Sequence, residues 1–369
     1  MSRTGENIYK RKDGRWEGRY IKSRENGQVK YGSVYARTYT EVKRKLEYAK
    51  SHKHAPKCGK VADIGRQWLL DSSGSLKKAS INKYEDILRQ YILPEFGNTE
   101  LSEVTNQQLI SFANGLLEKG GTKKQGLSSA TVAEILSAMN GIRVYAMKRD
   151  YSVAFSVECV NLKRESADIR VFSMEEEERF VNYLREHMDL SALGILICLF
   201  TGIRVGELCA LKWNDIDLAE KKISVSKTMQ RIRVNTASGP KTEIRILEPK
   251  SANSARVIPL PDVLAGLLEK YYVPEAYLLT GKKHRFVEPR TMQNRFKRLV
   301  ADCGIQDANF HATRHTFATR CVELGFDVKS LSEILGHGSV AITMNRYVHP
   351  SMALKRENMN LFSNLFAVK

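Results

Sequence analysis

Residues 311–320 read HATRHTFATR and place His311, Arg314, His315 and Arg320 within one short stretch. Histidines four apart on a helix are the spacing of zinc proteases, whereas arginines beside histidines suit a bound phosphate. The zinc motif also needs a glutamate directly after its first histidine, and position 312 is alanine. The stretch therefore predicts half of an anion site, formed by His311 and Arg314. His315 is interpreted as structural, and Arg320 is expected to face solvent.

Three other segments carry residues of the same chemical type. They are TGIRVGEL (201–208) with Arg204 and Glu207, PKSANSARVIP (249–259) with Lys250, and LGHGSVAITMNRYVH (335–349) with His337 and Tyr347. Each segment alone has an ordinary explanation: an intrahelical ion pair, a solvated lysine at a turn, and a half-buried tyrosine. Together with the 311–320 stretch they form a residue set suited to a phosphodiester.

The chemistry of a phosphodiester explains why these residue types belong together. Attack at phosphorus builds charge on two non-bridging oxygens, which arginines bind bidentately while staying charged. Tyrosine has a reference pKa of about 10, so a nearby base must take its proton during attack. The leaving 5′ oxygen needs a proton, which a mobile lysine can supply. Two guanidinium groups can stabilise the charge without a metal ion.

Composition points to a polyanionic partner. The 369-residue chain has a formal net charge of +18. Residues 1–60 hold seventeen Lys and Arg against six Asp and Glu, which is eleven of the eighteen excess charges. No GxxxxGK[ST] or GxGxxG motif is present, which argues against nucleotide hydrolysis. The longest apolar run, 191–200, is too short for a membrane helix and predicts a buried core helix.

Cysteine usage and the N-terminus indicate an intracellular protein. The six cysteines are scattered without a CxxC pair, which predicts free thiols in a reducing cytosol. His52, His54 and Cys58 lack a fourth ligand at zinc-finger spacing, so no metal and no cofactor is predicted. The first residues contain no apolar signal segment, which argues against secretion.

Changes of pattern divide the chain into three expected domains, 1–55, 60–163 and 170–369. In the first, Asp13-Gly14 predicts a hairpin within a three-stranded sheet, followed by a helix over 40–49. Strand alternation places Trp16 and Tyr20 toward Val42 and Leu46 of that helix. The basic residues Arg15, Arg19 and Lys22 are candidate DNA contacts, although a merely solvated basic face is the alternative.

The other two domains are expected to be mainly helical. Four helices are predicted at 61–70, 80–91, 105–118 and 129–149, with Ser80 and Asn106 as N-caps and Pro94 ending the second. A helix beginning at Ser173 and a strand-rich interval over 223–260 follow. The expected fold class is multidomain α+β: a three-stranded sheet plus helix, a four-helix domain, and a mainly α domain with a small antiparallel sheet.

The ordered motifs closely resemble the tyrosine recombinase, or integrase, family. R-x-x-E, a lysine on a β-hairpin, H-x-x-R-H, and L-G-H with a tyrosine ten residues after its histidine all occur in family order. The basic N-terminal segment resembles the arm-binding module of integrases from conjugative transposons and temperate phages. The resemblance implies an arm-type DNA-binding domain at 1–55, a core-binding domain at 60–163 and a catalytic domain at 170–369.

The resemblance also implies a role for each site residue. Tyr347 would be the nucleophile, forming a 3′-phosphotyrosyl bond with DNA. Arg204 and Arg314 would clamp the phosphate, and Glu207 would orient these cations. His311 would assist proton transfer at the tyrosine, and His337 would donate a hydrogen bond to a phosphate oxygen. Lys250 would be the general acid.

The expected function is site-specific integration and excision of a mobile element, either a conjugative transposon or a prophage. The expected partners are double-stranded DNA with core-type and arm-type sites, three further protomers in a homotetramer, and an excisionase and host DNA-bending protein that the family admits. The apolar tail, 351–369, is expected to dock on a neighbouring protomer in the bacterial cytoplasm. Two alternatives stay open: a type IB topoisomerase, and a non-catalytic DNA-binding regulator.

Overall fold

The computed structural model describes residues 7–25, 28–51, 58–121, 125–163, 169–234, 242–248, 255–348, 355–356 and 359–360. Lys250 lies outside these ranges, and so do most residues of the 351–369 tail. The chain divides into two compact units, 1–166 and 167–369. None of the helices within the described ranges is both long and apolar enough to cross a membrane.

A three-stranded antiparallel sheet and one helix begin the first unit. The strands, in spatial order, are β1 (Ile8–Lys10), β2 (Trp16–Glu25) and β3 (Gln28–Ala36), and the helix is α1 (Tyr39–Ser51). Gly14 has a φ of +83° in the turn between β1 and β2, a conformation that favours glycine, so the predicted Asp-Gly hairpin is confirmed. Trp16 and Tyr20 pack with buried Val42 and Leu46, as predicted, and form a small separate core.

The rest of the first unit is helical and has its own core. Its helices are α2 (Val61–Ser72), α3 (Lys78–Ile87), α4 (Leu93–Phe96), α5 (Asn106–Lys119) and α6 (Ser129–Met147). Three α6 side chains, Ile135, Met139 and Ile142, have no exposed area. Since burial of such side chains is the main favourable term in folding, α6 contributes strongly to the stability of this unit.

Both N-caps predicted in this region are wrong. Helix α3 begins before Ser80, which therefore lies inside it, and α5 is capped by Thr105 rather than Asn106. The Thr105 hydroxyl accepts a hydrogen bond from the Gln108 backbone N–H, and the Gln108 side chain accepts one from the Thr105 N–H. This capping box satisfies two end groups together, which explains why the threonine takes the position.

Pro94 does not end the second helical segment. Helix α3 continues through a π-helical turn (Leu88–Ile92) into α4, and Pro94 lies in the first turn of α4. Proline removes one N–H from the helix, and here that loss falls directly after the irregular π-helical turn. The predicted helix therefore extends one turn further than the sequence pattern indicated.

The second unit contains many helices and two small antiparallel sheets. The helices are α7 (Met174–Glu186), α8 (Leu190–Thr201), α9 (Val205–Ala210), α10 (Asp262–Glu269), α11 (Pro289–Asp302), α12 (His311–Glu323), α13 (Val328–Leu335) and α14 (Val340–Tyr347). The strands are β4 (Ile216–Asp217), β5 (Lys222–Val225), β6 (Thr228–Arg233), β7 (Thr242–Leu247) and β8 (Arg256–Pro259), paired as β4-β5-β8 and β6-β7. The mainly helical fold with small antiparallel sheets is as predicted.

Helix α8 forms the centre of this unit. From Ser191 to Leu199 every residue is buried, which confirms the core helix predicted from the apolar run. Helix α12 packs along α8, and α13 and α14 pack on α12. This packing brings the end of α8, the start of α9, and helices α12 to α14 to one place, where the predicted site residues lie. At α7, Ser173 accepts a hydrogen bond from Glu176 N–H and confirms the predicted helix start.

Candidate active site

A sharp turn between α8 and α9 positions Arg204. Gly202 has a φ of +65°, and a Cβ at this position would lie 2.5 Å from the Phe317 ring. Positive φ and close packing both therefore require glycine here. Arg204 directly precedes α9, and its backbone N–H and Nη1 each donate to Glu207 at 2.9 Å. The TGIR sequence thus turns the chain and fixes its arginine within four residues.

Glu207 is a buried carboxylate shared by two arginines. Besides Arg204, it accepts hydrogen bonds from Arg256 Nη2 at 2.9 Å and Nη1 at 3.2 Å. Burial alone would raise the pKa of Glu207, but the hydrogen bonds and charge of Arg256, together with Arg204, hold that pKa below its ordinary value. The carboxylate therefore stays ionised and holds Arg204, whose side chain is 38% exposed, at the edge of the site.

Arg256 is a functional candidate that the sequence interpretation did not select. It is the first residue of β8, its side chain is only 5% exposed, and its Nε also donates to the Ile334 carbonyl. Gly336 has a φ of +64°, and a Cβ there would lie 3.0 Å from the Arg256 side chain. The glycine of LGH therefore allows the loop after α13 to lie against Arg256. The available signal was a basic residue opening a strand, which alone is not specific.

Arg314 is almost fully enclosed in the second unit. Its residue exposure is 2%, and Nη1 and Nη2 donate to the carbonyls of Gly202 and Leu335, each at 2.7 Å. These carbonyls lie at the C-terminal ends of α8 and α13, where the helix dipoles favour a cation. Burial and then the charge of Arg204 nevertheless lower the Arg314 pKa from 12.5 to about 9. A bound anion would relieve this unfavourable charge.

The Tyr347 hydroxyl lies against His315. His315 Nδ1 and Tyr347 Oη are 2.8 Å apart, and the tyrosine is 6% exposed. The interpretation of His315 as a purely structural residue is therefore incomplete, because the packing of α14 on α12 brings it to the candidate nucleophile. His311 lies one helical turn earlier, with its ring edge-on to that of His315 at 4.6 Å between centroids.

His337 approaches the same tyrosine from the loop after α13. Its Nδ1 and Thr343 Oγ1 are 2.8 Å apart, and its ring is parallel to that of Tyr347 at 6.4 Å between centroids. The contact with Thr343 fixes the ring orientation and leaves the other nitrogen for a ligand. Burial raises the pKa of Tyr347, while the charges of Arg314 and Arg346 oppose that rise, so the phenol is protonated at neutral pH.

The three histidines predict that the DNA-free protein loses stability on acidification. Burial first, and then neighbouring positive charges, lower the pKa values of His311, His315 and His337 from 6.5 to about 4. Below about pH 6.5 the unfolded chain therefore binds more protons than the folded one. The stabilising contribution is present above this pH and is lost as the pH falls toward 4.

This pH dependence can be measured as the Tm of the DNA-free protein between pH 7 and pH 5, above the range in which most carboxylates titrate. We expect Tm to fall steadily, and the variant His337→Gln to show a shallower slope. A Tm that is constant over this interval would contradict the assignment of neutral histidines.

The structure brings most of the predicted site residues together. Charge interactions connect Arg314 with Arg204, Glu207 and Tyr347, and connect both His311 and His337 with these arginines. Lys250 lies outside the described residues, between β7 and β8. Arg346, next to the tyrosine, is an additional cation that the sequence interpretation did not name.

Arg320, in contrast, does not face solvent as expected. It donates to Glu177, Glu323 and the Phe172 carbonyl at 2.7–2.8 Å, and it thereby ties the end of α12 to the start of the unit. Glu323 is three residues away on the same helix, but Glu177 and Phe172 are distant in sequence, so no local pattern could reveal those two contacts.

Within the described ranges, no cluster of three His, Cys, Asp or Glu could hold a metal ion.

Of the candidate DNA contacts in the first unit, Arg15 directly precedes β2, whereas Arg19 and Lys22 lie within it. Arg15 is paired with Asp13 at 2.8 Å, and Arg19 with Glu17 at 2.9 Å. Glu17 is only 5% exposed and also accepts hydrogen bonds from Arg11 and Ser33. The arginines remain exposed, so the sheet presents guanidinium groups held by carboxylates. The side chain of Lys22 lies outside the described residues.

Sequence comparison identifies the family to which this arrangement belongs. The sequence model of the Phage integrase family matches residues 170–353, and that of the Phage integrase N-terminal SAM-like domain matches residues 61–117. The chain belongs to the phage integrase family of tyrosine recombinases. It is therefore an enzyme of the class that cleaves and rejoins DNA strands, and the resemblance drawn from the motifs is confirmed.

Individual relatives of this recombinase extend over most of the chain. A tyrosine recombinase XerC-like protein of Caldanaerobacter subterraneus subsp. tengcongensis is 27% identical, covering 93% of this chain and 94% of the relative. The ICEBs1 integrase of Bacillus subtilis is 24% identical, covering 71% of this chain and 72% of the relative.

Solved structures show the same fold. The Tn1549 transposon integrase in complex with a circular intermediate DNA gives a TM-score of 0.68 at 22% identity, covering 82% of this chain and 99% of that chain. A lambda integrase tetramer bound to a Holliday junction gives a TM-score of 0.57 at 16% identity, covering 94% of this chain and 98% of that chain. At such identities the likeness establishes the fold of this recombinase and leaves its residue roles to be tested.

Proposed function

We propose that this recombinase integrates and excises a mobile element by cutting and rejoining DNA through a 3′-phosphotyrosyl intermediate at Tyr347. The observation that carries the proposal is the charge balance around the tyrosine. Arg204, Arg256 and Arg314 surround one carboxylate, Glu207, so the site has an excess of positive charge. A scissile phosphate supplies the missing anion beside the tyrosine hydroxyl.

In the proposed reaction Arg204 and Arg314 bind the two non-bridging oxygens of the phosphate. Arg314 is held by backbone carbonyls and Arg204 by Glu207, so neither guanidinium has to reorganise as charge develops. His337, oriented by Thr343, donates a further hydrogen bond to the phosphate. His311 lies beside the tyrosine pair and assists proton movement there, and Lys250 protonates the leaving 5′ oxygen.

The three-domain division and the assembly are part of the same proposal. The sheet module at 1–55 and the helices at 60–163 have separate hydrophobic cores, which supports independent arm-binding and core-binding domains before the catalytic domain at 170–369. Arg15, Arg19 and Lys22 would contact arm-type sites. The lambda integrase neighbour is a tetramer on a Holliday junction, and a homotetramer is proposed here. An excisionase and a host DNA-bending protein are proposed as further partners, and the bacterial cytoplasm as the location.

The mobile-element relatives favour a conjugative transposon over a prophage as the proposed source. The ICEBs1 integrase is among the sequence relatives, and the Tn1549 transposon integrase is among the structural ones. In both comparisons most of the chain is covered. The integrase of Staphylococcus phage L54a is also a relative, at 22% identity, so a prophage is retained as the alternative source.

Plasmid recombination tests this function. Purified protein is incubated with a supercoiled plasmid carrying candidate attachment DNA from both flanks of its gene, and with a matched plasmid lacking that DNA. We expect recombinant junctions, identified by sequencing, from the first plasmid alone. Relaxation of both plasmids without junctions would support a type IB topoisomerase, and binding without any strand breakage would support a DNA-binding regulator.

A further inference from the structure

The contact between His315 and Tyr347 has no place in the reaction as proposed above. The tyrosine lies on α14 and the histidine on α12, and their polar atoms are 2.8 Å apart. Packing of the tyrosine with Ala318, Cys321, Leu331 and Leu335 fixes the ring that carries this hydroxyl. The contact is therefore built by the fold and does not depend on a flexible surface residue.

We infer that His315 is the base that takes the proton of Tyr347 during strand cleavage and returns it during rejoining. The inference rests on the proposed function of Tyr347 as nucleophile. It changes the role given to His311, whose ring contacts that of His315 edge-on at 4.6 Å between centroids, whereas the hydrogen-bond contact with the tyrosine hydroxyl is made by His315. His311 then contacts the base, His315, and His315 itself exchanges the proton with the reacting oxygen.

The proton balance of the step is complete. As the Tyr347 oxygen bonds to phosphorus, its proton passes to His315 Nδ1 and the histidine becomes an imidazolium. The bond from phosphorus to the 5′ oxygen breaks, and this oxygen receives a proton from the proposed general acid, Lys250. Rejoining is the microscopic reverse: the 5′ hydroxyl returns its proton to the lysine, and the imidazolium reprotonates the departing phenolate.

The groups around His315 keep its ring neutral and therefore able to accept a proton. His311 and Arg314 face it from its own helix, and Arg346 faces it from α14. Burial first, and then the charges that these neighbours can carry, lower the pKa of His315 to about 4, so its ring is neutral at pH 7. The same field would make it a weak base in the free protein. A phosphodiester bound to the arginines offsets part of that field and raises its basicity when the substrate is in place.

The test uses single-turnover cleavage of a nicked half-site substrate from the attachment DNA by the full chain. The variant His315→Gln can still accept a hydrogen bond from the tyrosine but cannot take its proton. We expect its cleavage rate to fall about a hundredfold or more, with DNA binding unchanged. His315→Ala should fall at least as far, and added imidazole should restore part of its rate.

A substrate with sulfur in place of the bridging 5′ oxygen separates the base from the acid. Sulfur leaves without protonation, so loss of a general acid is compensated and loss of a base is not. We expect the sulfur substrate to restore the Lys250→Ala variant to near the wild-type rate and to leave His315→Gln slow. His311→Gln is the matched histidine control and should retain more activity than His315→Gln on both substrates.

Three results would overturn the inference. An unchanged rate for His315→Gln would make the contact structural, and a faster rate would mean that the histidine restrains the tyrosine. Rescue of His315→Gln by the sulfur substrate would assign it to the leaving group. Failure of the proposed function itself would look different, because the wild-type protein would then form no covalent adduct with either substrate.

Discussion

The variant Arg314→Ala is expected to cleave a nicked half-site substrate about a thousandfold more slowly than the wild type. Removing one preorganised donor to a developing oxyanion costs about a hundred- to a thousandfold, and this change removes a whole guanidinium. Arg314 is placed by two carbonyl contacts at the ends of α8 and α13. No neighbouring side chain is positioned on those carbonyls to replace it, among the residues described. The measurement is the single-turnover rate at saturating protein.

Stability must be separated from chemistry in this variant. Loss of Arg314 leaves the buried carbonyls of Gly202 and Leu335 without their donor, at a cost of about 1–3 kcal/mol each, although removal of a buried charge offsets part of it. Arg320→Ala is the matched control, since it removes another arginine of α12 that binds Glu177 and the Phe172 carbonyl. It should lower the urea midpoint yet keep a near-wild-type cleavage rate. Equal rates for both variants would contradict the role of Arg314.

The variant Tyr347→Phe is expected to form no covalent protein–DNA adduct at all. Phenylalanine keeps the ring among Ala318, Leu331 and Leu335 but removes the only atom proposed to attack phosphorus. The measurement is a denaturing gel of protein incubated with radiolabelled half-site DNA, on which the adduct migrates as a slow band. Unlike the arginine variant, this one should show no slow cleavage after prolonged incubation.

Binding provides the control for Tyr347→Phe. The change leaves His315 without its partner at a partly buried position, which costs about 1–3 kcal/mol of unfolding free energy. A modest fall in Tm with unchanged retention of attachment DNA in a gel shift is therefore expected. An adduct that persisted in this variant would show that another side chain attacks.

Part of the site could be predicted because its residues contact neighbours that are close to them in sequence. Arg204 and Glu207 are one turn apart and hydrogen-bond to each other, and Gly202 is needed at the turn that precedes them. Motif order added Arg314 and Tyr347, which the fold brings into charge contact. The buried helix over 191–200 also followed from its apolar run alone.

The remainder depended on contacts between distant segments. His315 ends the H-x-x-R-H motif but was interpreted as structural, because its partner, supplied by the packing of α14 on α12, is thirty-two residues away in sequence. Arg256 reaches Glu207 across forty-nine residues. Arg320 was expected in solvent and instead binds Glu177 and Phe172. Spacing within a helix reports neighbours on that helix, whereas these pairs are set by how helices and strands pack.

The electrostatic character of the site connects these contacts to the chemistry. One carboxylate, Glu207, stands against Arg204, Arg256 and Arg314, and burial makes the excess charge unfavourable enough to lower the Arg314 pKa to about 9. Such a site is stabilised by an anion that it can bind bidentately. The phosphate of the substrate would therefore complete the network at the moment when the tyrosine is placed to attack.

The most direct test of this account is to identify the atom joined to DNA in the covalent complex. The wild-type protein is trapped on a nicked half-site, digested with protease and nuclease, and the modified peptide is sequenced by mass spectrometry. We predict a nucleotide attached through its 3′ phosphate to Tyr347, with a free 5′ hydroxyl on the released strand. A nucleotide on another residue, or a 5′-phosphate linkage, would contradict it.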